Sequence, residues 1–407
     1  MVKVAAGDDG SPELSPEDVL TEEQVQERSA AFARRRPFPA MALAKMVFFG
    51  SFLIPIRIIL MIVFNIFWLP ILSLSLSGSA NGKFTGIRRT ILHWVFWIWI
   101  RTLLLIFGLY WIRTKGKRPN EQVLKSFVAI GNHIGWLDVA FIAMTFLPSF
   151  VAKASVAKIP VVGAVTRATG AIFVERALLP TTPGASEANA HVGGGSGKPS
   201  ATELIKEKLQ AAVTEPETNC VAMFPEGTTT NGTHLIHFRH GAFIPGVPVV
   251  PLIFKFHFLF FDPACCSYSL LHHVLLTMAS PSHWMTVEYL DPYMPSEEEK
   301  ANHDLYSRNV HSYMVKNSHL KDCDFTYADK LRWEAALGYE NADVRKAKKA
   351  AKKVNISRTS RKTQSNAALL LQLHRERTKD KTLHPGMRLN DDDIEHGASD
   401  GSILHDH

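Results

Sequence analysis

The sequence predicts an α/β fold in which a mixed, mostly parallel sheet is flanked by helices and preceded by an N-terminal pair of membrane helices. Two observations predict it. From about residue 115 to residue 294, short apolar runs alternate with helical patterns, which is typical of βα repeats around a sheet. Before them, residues 37–114 contain two long apolar segments, each near the ~20 residues that a spanning helix needs.

Composition divides the 407 residues into five parts. We predict a disordered tail at 1–36, a membrane-associated helical hairpin at 37–114, a globular α/β domain at 115–294, a C-terminal helical extension at 295–342, and a basic segment with a disordered acidic tail at 343–407. Within the globular domain, residues 178–200 are rich in Pro, Thr, Gly and Ser. This composition predicts a flexible surface insertion.

The two apolar segments differ in the place of their single arginine. The first, Met46–Leu76, has Arg57 near its start and is uncharged from Ile58 onward, whereas the second, Ile91–Ile112, carries Arg101 near its middle. An arginine at the centre of a bilayer costs roughly 2.5–3.5 kcal/mol. We therefore favour a monotopic or re-entrant hairpin, with Arg101 turned toward protein or headgroups. Two ordinary spans remain the alternative, because basic residues flank both segments about equally.

Charge and cysteine content limit the function classes. The net charge of +7 favours an anionic partner, either nucleic acid or an anionic membrane. The basic runs lie in low-complexity flanks without interleaved aromatic residues, so we predict no nucleic-acid partner. The four cysteines show no regular spacing, which argues against a disulfide framework or a zinc site and favours a reducing compartment.

A histidine and an aspartate stand in a short turn after a strand-like run. His133 and Asp138 follow the apolar residues 126–130 and precede an apolar helical run. On a continuous helix these two side chains would point about 140° apart, so their contact requires a bend, for which we predict Gly135. The bent pair would let the carboxylate orient one imidazole nitrogen and leave the other as a base. The alternative is a helix start capped by Asp138 beside a loop histidine.

Three further stretches carry polar or proline signals. Residues 224–230 (Phe-Pro-Glu-Gly-Thr-Thr-Thr) form a turn with donors for an anion, or else an ordinary capped turn. Arg176 ends the short strand at 170–175, where its guanidinium would bind phosphate or carboxylate or form a surface ion pair. Residues 247–252 (Val-Pro-Val-Val-Pro-Leu) predict a strand entered through proline, at a sheet edge.

Residues 268–276 predict an amphipathic membrane helix or a core helix.

In their order along the chain, four of these stretches resemble the four sequence blocks of the glycerolipid acyltransferase family, which includes the lysophosphatidate acyltransferases: Asn132-His133-x4-Asp138, and residues 170–176, 224–228 and 247–251. The resemblance covers about residues 113–291. The string Phe-Pro-Glu-Gly-Thr-Thr-Thr-Asn-Gly at 224–232 is most similar to the lysophosphatidylcholine and lysophosphatidylethanolamine acyltransferase branch. One departure is Glu175, where the family more usually has Asn or Asp.

The resemblance implies an acyl-CoA-dependent lysophospholipid O-acyltransferase. His133 would be the general base on the free hydroxyl of a lysophospholipid, and Asp138 would orient it. It further implies substrate-binding or pocket-forming roles for Arg176, Glu226, Gly227, Thr228 and Pro251. It implies no metal and no cofactor, since acyl-CoA is a co-substrate. The expected partners are acyl-CoA, a lysophospholipid and the bilayer, and the expected location is the endoplasmic reticulum with a cytosolic active site.

Other functions stay open at this stage. Within the fold, the chain could be a glycerol-3-phosphate or lysophosphatidate acyltransferase, or a CoA-independent phospholipid transacylase. In a different class, it could be a non-catalytic membrane scaffold that gathers partners through the basic segment near Lys348. Headgroup, acyl-chain length and oligomeric state do not follow from these patterns.

Overall fold

The structure is a computed structural model. It describes residues 20–33, 35, 40–77, 86–124, 126–159, 161–174, 201–214, 220–259, 262, 264 and 270–338. Arg176, the insertion predicted at 178–200 and the segment at 343–407 lie outside the described residues.

A seven-stranded sheet forms the centre of the domain. Its strands are β1 (Leu109–Lys115), β2 (Val128–Gly131), β3 (Ser149–Lys153), β4 (Ile172–Val174), β5 (Val221–Met223), β7 (Val249–Phe258) and β8 (His283–Tyr289). They lie in the order β1-β8-β7-β2-β5-β3-β4, and within this sheet only β7 and β8 pair antiparallel. Two further short strands, β6 (His234–Leu235) and β9 (Lys321–Asp322), pair with each other. The mixed, mostly parallel sheet predicted from the sequence is confirmed.

Helices cover both faces of this sheet. The described helices are α1 (Glu22–Phe32), α2 (Ala40–Leu76), α3 (Gly86–Ile106), α4 (Glu121–Leu124), α5 (Trp136–Phe146), α6 (Val162–Ala168), α7 (Ala201–Thr214), α8 (Leu270–Ala279), α9 (Glu297–Ala301), α10 (His303–Lys316) and α11 (Tyr327–Ala336). Strand residues alternate between the faces. Leu252 and Phe254 join the core built with α2, α3 and α5, whereas Val249 and Ile253 join the core built with α7 and α10.

The two apolar helices α2 and α3 are long and apolar enough to cross a membrane. The apolar stretches run from Leu43 to Leu76 and from Gly86 to Ile106. Helix α3 also packs along α5 and buries Leu92, Phe96 and Ile100. Arg101 donates to the carbonyl oxygens of Leu109 at 3.0 Å and Tyr110 at 2.6 Å, so this arginine faces protein, one of the two environments that we expected.

A buried arginine attaches α2 to the rest of the domain. The side chain of Arg57 donates to the carbonyl oxygens of Met278 at 2.7 Å, Ser280 at 2.6 Å and Pro281 at 3.1 Å. These carbonyls lie at the C-terminal end of α8, where a helix leaves acceptors without intrahelical partners. Helix α8 therefore has a face packed on α2, while Leu271 on its other side is 67% exposed. The packing on α2 supports the core interpretation of this helix, and the membrane interpretation stays a prediction.

Two predicted boundaries were wrong. Residues 22–32 of the tail predicted to be disordered form α1, whose first turn is closed by a capping box between Thr21 and Gln24 and whose last residue, Phe32, is fully buried. The hairpin predicted to extend to residue 114 ends earlier, because its last residues form β1. The aromatic and β-branched residues at 109–112 pair with β8 instead of continuing the helix.

The predicted edge position of the proline-containing strand was also wrong. Strand β7 lies between β8 and β2 in the interior of the sheet. Val249 exchanges two hydrogen bonds with Tyr293, which follows β8. Because backbone groups of a strand point alternately to its two neighbours, the nitrogen of Pro251, two residues later, points to the same side. There the register changes by one residue, since Leu252 pairs with Tyr289 but Val249 pairs with Tyr293. The regular pairing of β7 with the chain at and after β8 is therefore interrupted at Pro251, whose nitrogen carries no hydrogen to donate.

Candidate active site

The turn between β2 and α5 brings His133 and Asp138 together. Nδ1 of His133 lies 3.1 Å from Oδ2 of Asp138. The same carboxylate oxygen accepts from the backbone N–H of Ile134 at 2.6 Å and of Gly135 at 3.0 Å, and Oδ1 accepts from Val139 N–H at 2.7 Å. We call this segment, residues 131–139, the His133 turn. Its carboxylate both caps α5 and orients the imidazole, so the two alternatives weighed for this pair hold together.

The bend does not depend on the conformational freedom of Gly135. Its backbone is extended, with φ −176° and ψ −162°, a conformation that other residues adopt. The hydrogen bonds to Asp138 hold the turn instead. The prediction that Gly135 permits the bend was therefore wrong in its physical reason, although the bend itself is present.

The surroundings of the pair determine its proton chemistry. Asp138 is fully buried, and its oxygens accept from three backbone N–H groups at the start of α5. Because Oδ2 already accepts two of these hydrogen bonds, we assign the hydrogen between Nδ1 of His133 and Oδ2 to the imidazole. Among the described residues, none hydrogen-bonds to Nε2 of His133, and its side chain is 19% exposed. The free nitrogen can thus accept a proton from a bound hydroxyl.

Phe224 and Asn132 help to hold the His133 turn in place. The ring of Phe224 stacks on the imidazole of His133 with centroids 4.1 Å apart and planes at 15°. Asn132 is fully buried; its side chain accepts from Phe254 N–H at 2.7 Å and donates to Phe254 C=O at 3.1 Å. This amide continues the pairing of β2 with β7 beyond the end of β2.

A second segment, residues 224–232, which we call the Glu226 loop, holds the backbone of His133. Oε1 of Glu226 accepts from His133 N–H at 2.7 Å, and Oε2 accepts from Ile236 N–H at 3.4 Å. Thr230 N–H donates to the carbonyl of His133 at 2.8 Å. Glu226 is 1% exposed, and burial raises the pKa of this carboxyl to about 8. Its observed role is to position His133.

The conformation of the Glu226 loop requires a glycine next to its acid. Gly227 has φ +67°, a left-handed backbone that residues with a Cβ rarely adopt. A Cβ atom at this position would also lie 2.9 Å from the side chain of Arg239. Thr228, which follows, is buried and accepts from Nζ of Lys330 at 3.2 Å. Its hydroxyl is thus held from the side of α11.

The predicted site residues are brought together only in part. His133, Asp138 and Glu226 contact one another through the hydrogen bonds above, with Gly227 and Thr228 next in the same loop. Pro251 follows β-strand alternation with Val249 and Ile253, on the face covered by α7 and α10. This is the face opposite to α2 and α3.

The sequence interpretation missed three contributors to the site. The stacking of Phe224 on His133 had a signal, because the residue directly precedes the Pro-Glu-Gly turn. Lys330 had none, since it lies about a hundred positions after the loop that it contacts. Asn231 stands in the string at 224–232 that carries the family resemblance, but no sequence signal indicates that its side-chain amide bonds to α1.

One group of residues in the described part of the chain has ligand atoms close enough to hold a metal ion. The ligand atoms of His240, His303 and Asp304 lie within 4.8 Å of one another. All three side chains are at least partly exposed, and none belongs to the His133 turn or the Glu226 loop. The group is thus separate from the candidate base.

The sequence is similar to known acyltransferases. The sequence profile of the Acyltransferase family matches residues 112–255. The chain is 30% identical to lysophospholipid acyltransferase LPEAT1 of Arabidopsis thaliana over 58% of this chain and 61% of that protein. It is 29% identical to LPEAT2 of the same plant (59% and 41%) and 31% identical to lysophosphatidylcholine acyltransferase 1 of Rattus norvegicus (56% and 40%).

The matched regions do not extend over the whole of these relatives. The chain spans between 40% and 61% of the length of the three. The crystal structure of the 1-acyl-sn-glycerophosphate (LPA) acyltransferase PlsC from Thermotoga maritima aligns with 68% of this chain and 98% of that chain, with a TM-score of 0.42 and 16% identity. The fold assignment rests on the strand order given above. Residues 112–255 thus match the Acyltransferase family, and the chain is similar to lysophospholipid acyltransferases over the shares given above.

Proposed function

We propose that the protein is an acyl-CoA-dependent lysophospholipid acyltransferase in which His133 is the general base. The observation that carries the proposal is the geometry of the pair: Nδ1 of His133 is held 3.1 Å from the buried carboxylate of Asp138, while Nε2 is left free. The names of the relatives supply the substrate class, a lysophospholipid. The acyl donor follows from the family resemblance of the sequence.

The reaction proceeds by one direct transfer. The free hydroxyl of the lysophospholipid gives its proton to Nε2 of His133 as its oxygen attacks the thioester carbonyl carbon of acyl-CoA. Asp138 stabilises the imidazolium that forms. The tetrahedral intermediate then collapses, the C–S bond breaks, and the proton on Nε2 passes to the departing sulfur. The products are a phospholipid ester and free CoA, with no acyl-enzyme.

Roles for the remaining site residues come from the family resemblance of the sequence. We assign the acceptor phosphate to Arg176 and to the donors near Gly227 and Thr228. Glu226 positions His133 and is not assigned to the phosphate, because its two oxygens accept from the backbone N–H groups of His133 and Ile236. Pro251 shapes the pocket from the sheet, and no metal or cofactor takes part.

We propose that the two apolar helices hold the site beside a bilayer. Phe48, Phe52 and Ile59 on α2 and Ile91 and Trp94 on α3 are all more than half exposed. Because α3 packs along α5 and α2 is held by Arg57, we propose that both helices lie in one leaflet, on the cytosolic side of the endoplasmic reticulum. The alternative is two spans.

An assay with purified full-length protein tests the activity. Labelled acyl-CoA is offered with lysophosphatidylcholine, lysophosphatidylethanolamine, lysophosphatidate or glycerol-3-phosphate, and products are identified by mass spectrometry. We expect CoA-dependent acylation of a lysophospholipid. Transfer only from a phospholipid donor would indicate the transacylase, acylation of glycerol-3-phosphate or lysophosphatidate alone the other branches, and no transfer with any pair would sink the proposal.

Two variants separate the enzyme from the scaffold. His133→Ala should abolish turnover and leave vesicle binding intact, whereas His237→Ala, at an exposed histidine, should leave both intact. Equal activity of His133→Ala and wild type would falsify the assignment of the base. For topology, a protease site inserted after Ser77 should be cut from the side of the catalytic domain, whereas two spans would protect it until the vesicles are opened.

A further inference from the structure

We propose that Lys330 is a positioning residue for the reaction and that α1 and α11 together form a clasp that holds the Glu226 loop against His133. Neither helix belongs to the region matched by the family profile, residues 112–255. The inference rests on the proposed function for its effect on turnover. Its structural part can be tested without any substrate.

Lys330 is buried and contacts the Glu226 loop through its ammonium group. The residue is 4% exposed, and its ammonium donates to Thr229 C=O at 2.6 Å and to the hydroxyls of Thr228 and Thr229, both at 3.2 Å. Glu334 lies one helical turn further on, with a carboxylate oxygen 4.0 Å from Nζ. Since a buried ammonium is costly unless it is paired and hydrogen-bonded, these contacts fix the loop strongly to α11.

Helix α1 holds the next residue of the loop. The side-chain amide of Asn231 donates to the carbonyls of Ala30 and Ala33, both at 2.8 Å, and its backbone N–H donates to Ala31 at 2.9 Å. Carbonyls at the C-terminal end of a helix have no intrahelical partner. The loop therefore caps α1, and each stabilises the other.

The two helices pack on each other as one body. Arg28 pairs with Asp329 at 3.0 Å, and Nε1 of Trp333 donates to the hydroxyl of Ser29 at 3.1 Å. The ring of Phe32 lies 5.9 Å from that of Trp333. These contacts join segments some 300 positions apart, so the clasp closes only when both ends of the described chain are in place.

Along the loop, contacts with the clasp alternate with contacts to the candidate base. Glu226 and Thr230 bind the N–H and the C=O of His133, whereas Thr229 and Asn231 bind α11 and α1. A displacement of the clasp side must therefore move the His133 side. A shift of about 1 Å in a catalytic group is enough to reduce turnover about 100-fold.

The test removes the ammonium of Lys330 and, in the same variant, the negative charge of the neighbouring Glu334. Because loss of the ammonium leaves the buried carboxylate of Glu334 without its cation, the variant is made as Lys330→Met/Glu334→Gln, with Glu334→Gln alone and Lys316→Met, at an exposed lysine of α10, as controls. We expect kcat to fall at least about tenfold in the double variant while KM for acyl-CoA stays within about twofold, which is the signature of lost positioning. Lys330→Arg should recover part of kcat.

A second readout does not depend on turnover. Hydrogen exchange at the backbone amides of His133 and Thr230, both bonded within the site, should be faster in Lys330→Met/Glu334→Gln and unchanged in Lys316→Met. If the double variant fails to fold, Trp333→Phe, which removes the bond to Ser29 and part of the ring packed on Phe32, should show a smaller increase at the same amides.

The outcomes are distinguishable. Unchanged kcat and unchanged exchange in a folded variant overturn the positioning role. Reduced kcat without faster exchange at His133 overturns it as well, because the loop would not be the route. Faster exchange in a protein whose wild type transfers no acyl chain supports the clasp and overturns the proposed function alone.

Discussion

The His133 turn and the Glu226 loop each contain a buried carboxylate, but the two acids are stabilised in different ways. Asp138 receives three backbone N–H donors and the imidazole, all from residues 133–139. Glu226 receives one N–H at 2.7 Å and one at 3.4 Å, and burial raises its pKa to about 8. A carboxylate satisfied by its own turn can orient a base by itself, whereas one buried with few donors depends on distant parts of the chain.

Replacing the locally satisfied acid should have the largest effect. Asp138→Asn exchanges an oxygen acceptor for an NH₂ group, which cannot accept from the N–H donors of the turn and disfavours the tautomer with hydrogen on Nδ1 of His133. In the serine-protease template the same exchange lowers kcat about 10⁴-fold. We expect a loss of at least about 10³-fold in acyl transfer, by the same reasoning, measured with saturating acyl-CoA.

The matched control for this variant is Asp291→Asn, at an exposed aspartate, which should retain full activity. Vesicle binding should be the same in both. If Asp138→Asn keeps activity within about tenfold of wild type, an amount that ordinary misplacement produces, the aspartate is only a helix cap.

Replacing the second acid should have an intermediate effect. Glu226→Gln keeps one acceptor oxygen, so either His133 N–H or Ile236 N–H faces an amide NH₂. A buried donor left without an acceptor costs about 1–3 kcal/mol, equivalent to about 5–150-fold in kcat if the cost falls on the position of His133. Steady-state kinetics with a constant KM for acyl-CoA would support this, and a change confined to KM for the lysolipid would instead place Glu226 in the acceptor pocket.

The same variant separates the two acids by the pH dependence of stability. The pKa of Glu226 rises from 4.5 in its ordinary state to about 8 in the folded protein. Its contribution is therefore fully present below about pH 4.5 and is lost as pH rises toward 8, because the unfolded chain releases the proton first. Glu226→Gln should lack this loss. Unfolding midpoints in urea at pH 5 and pH 8 measure it, and parallel curves for both proteins would contradict it.

The comparison also explains which features the sequence could predict. The contact of His133 with Asp138 depends on six consecutive residues, and the sheet depends on short-range apolar patterns, so both were accessible. Helix α1 was missed although Thr21 and Gln24 form a local capping box, because its burial depends on Phe32 and Ser29 meeting Trp333, which no local pattern encodes. The interior place of β7 was missed because the gap in pairing at Pro251 depends on where a strand from another part of the chain ends.

The smallest effect expected in this region concerns the ring above the base. Phe224 stacks on His133 at 4.1 Å, and an aromatic pair of this kind contributes about 0.5–1.5 kcal/mol. The imidazole becomes a cation during the transfer, and a ring face attracts a cation, so the contact is stronger in the transition state than in the resting enzyme. Phe224→Leu keeps the apolar contact and loses this attraction.

We therefore expect Phe224→Leu to lower kcat by about 2–10-fold, the equivalent of that contact, with little change in either KM. Phe224→Trp, whose face attracts cations more strongly, should equal or exceed wild type wherever it folds. An unchanged kcat in Phe224→Leu would show that the ring only fills space, and the orientation of His133 would then rest on Asp138 and Glu226 alone.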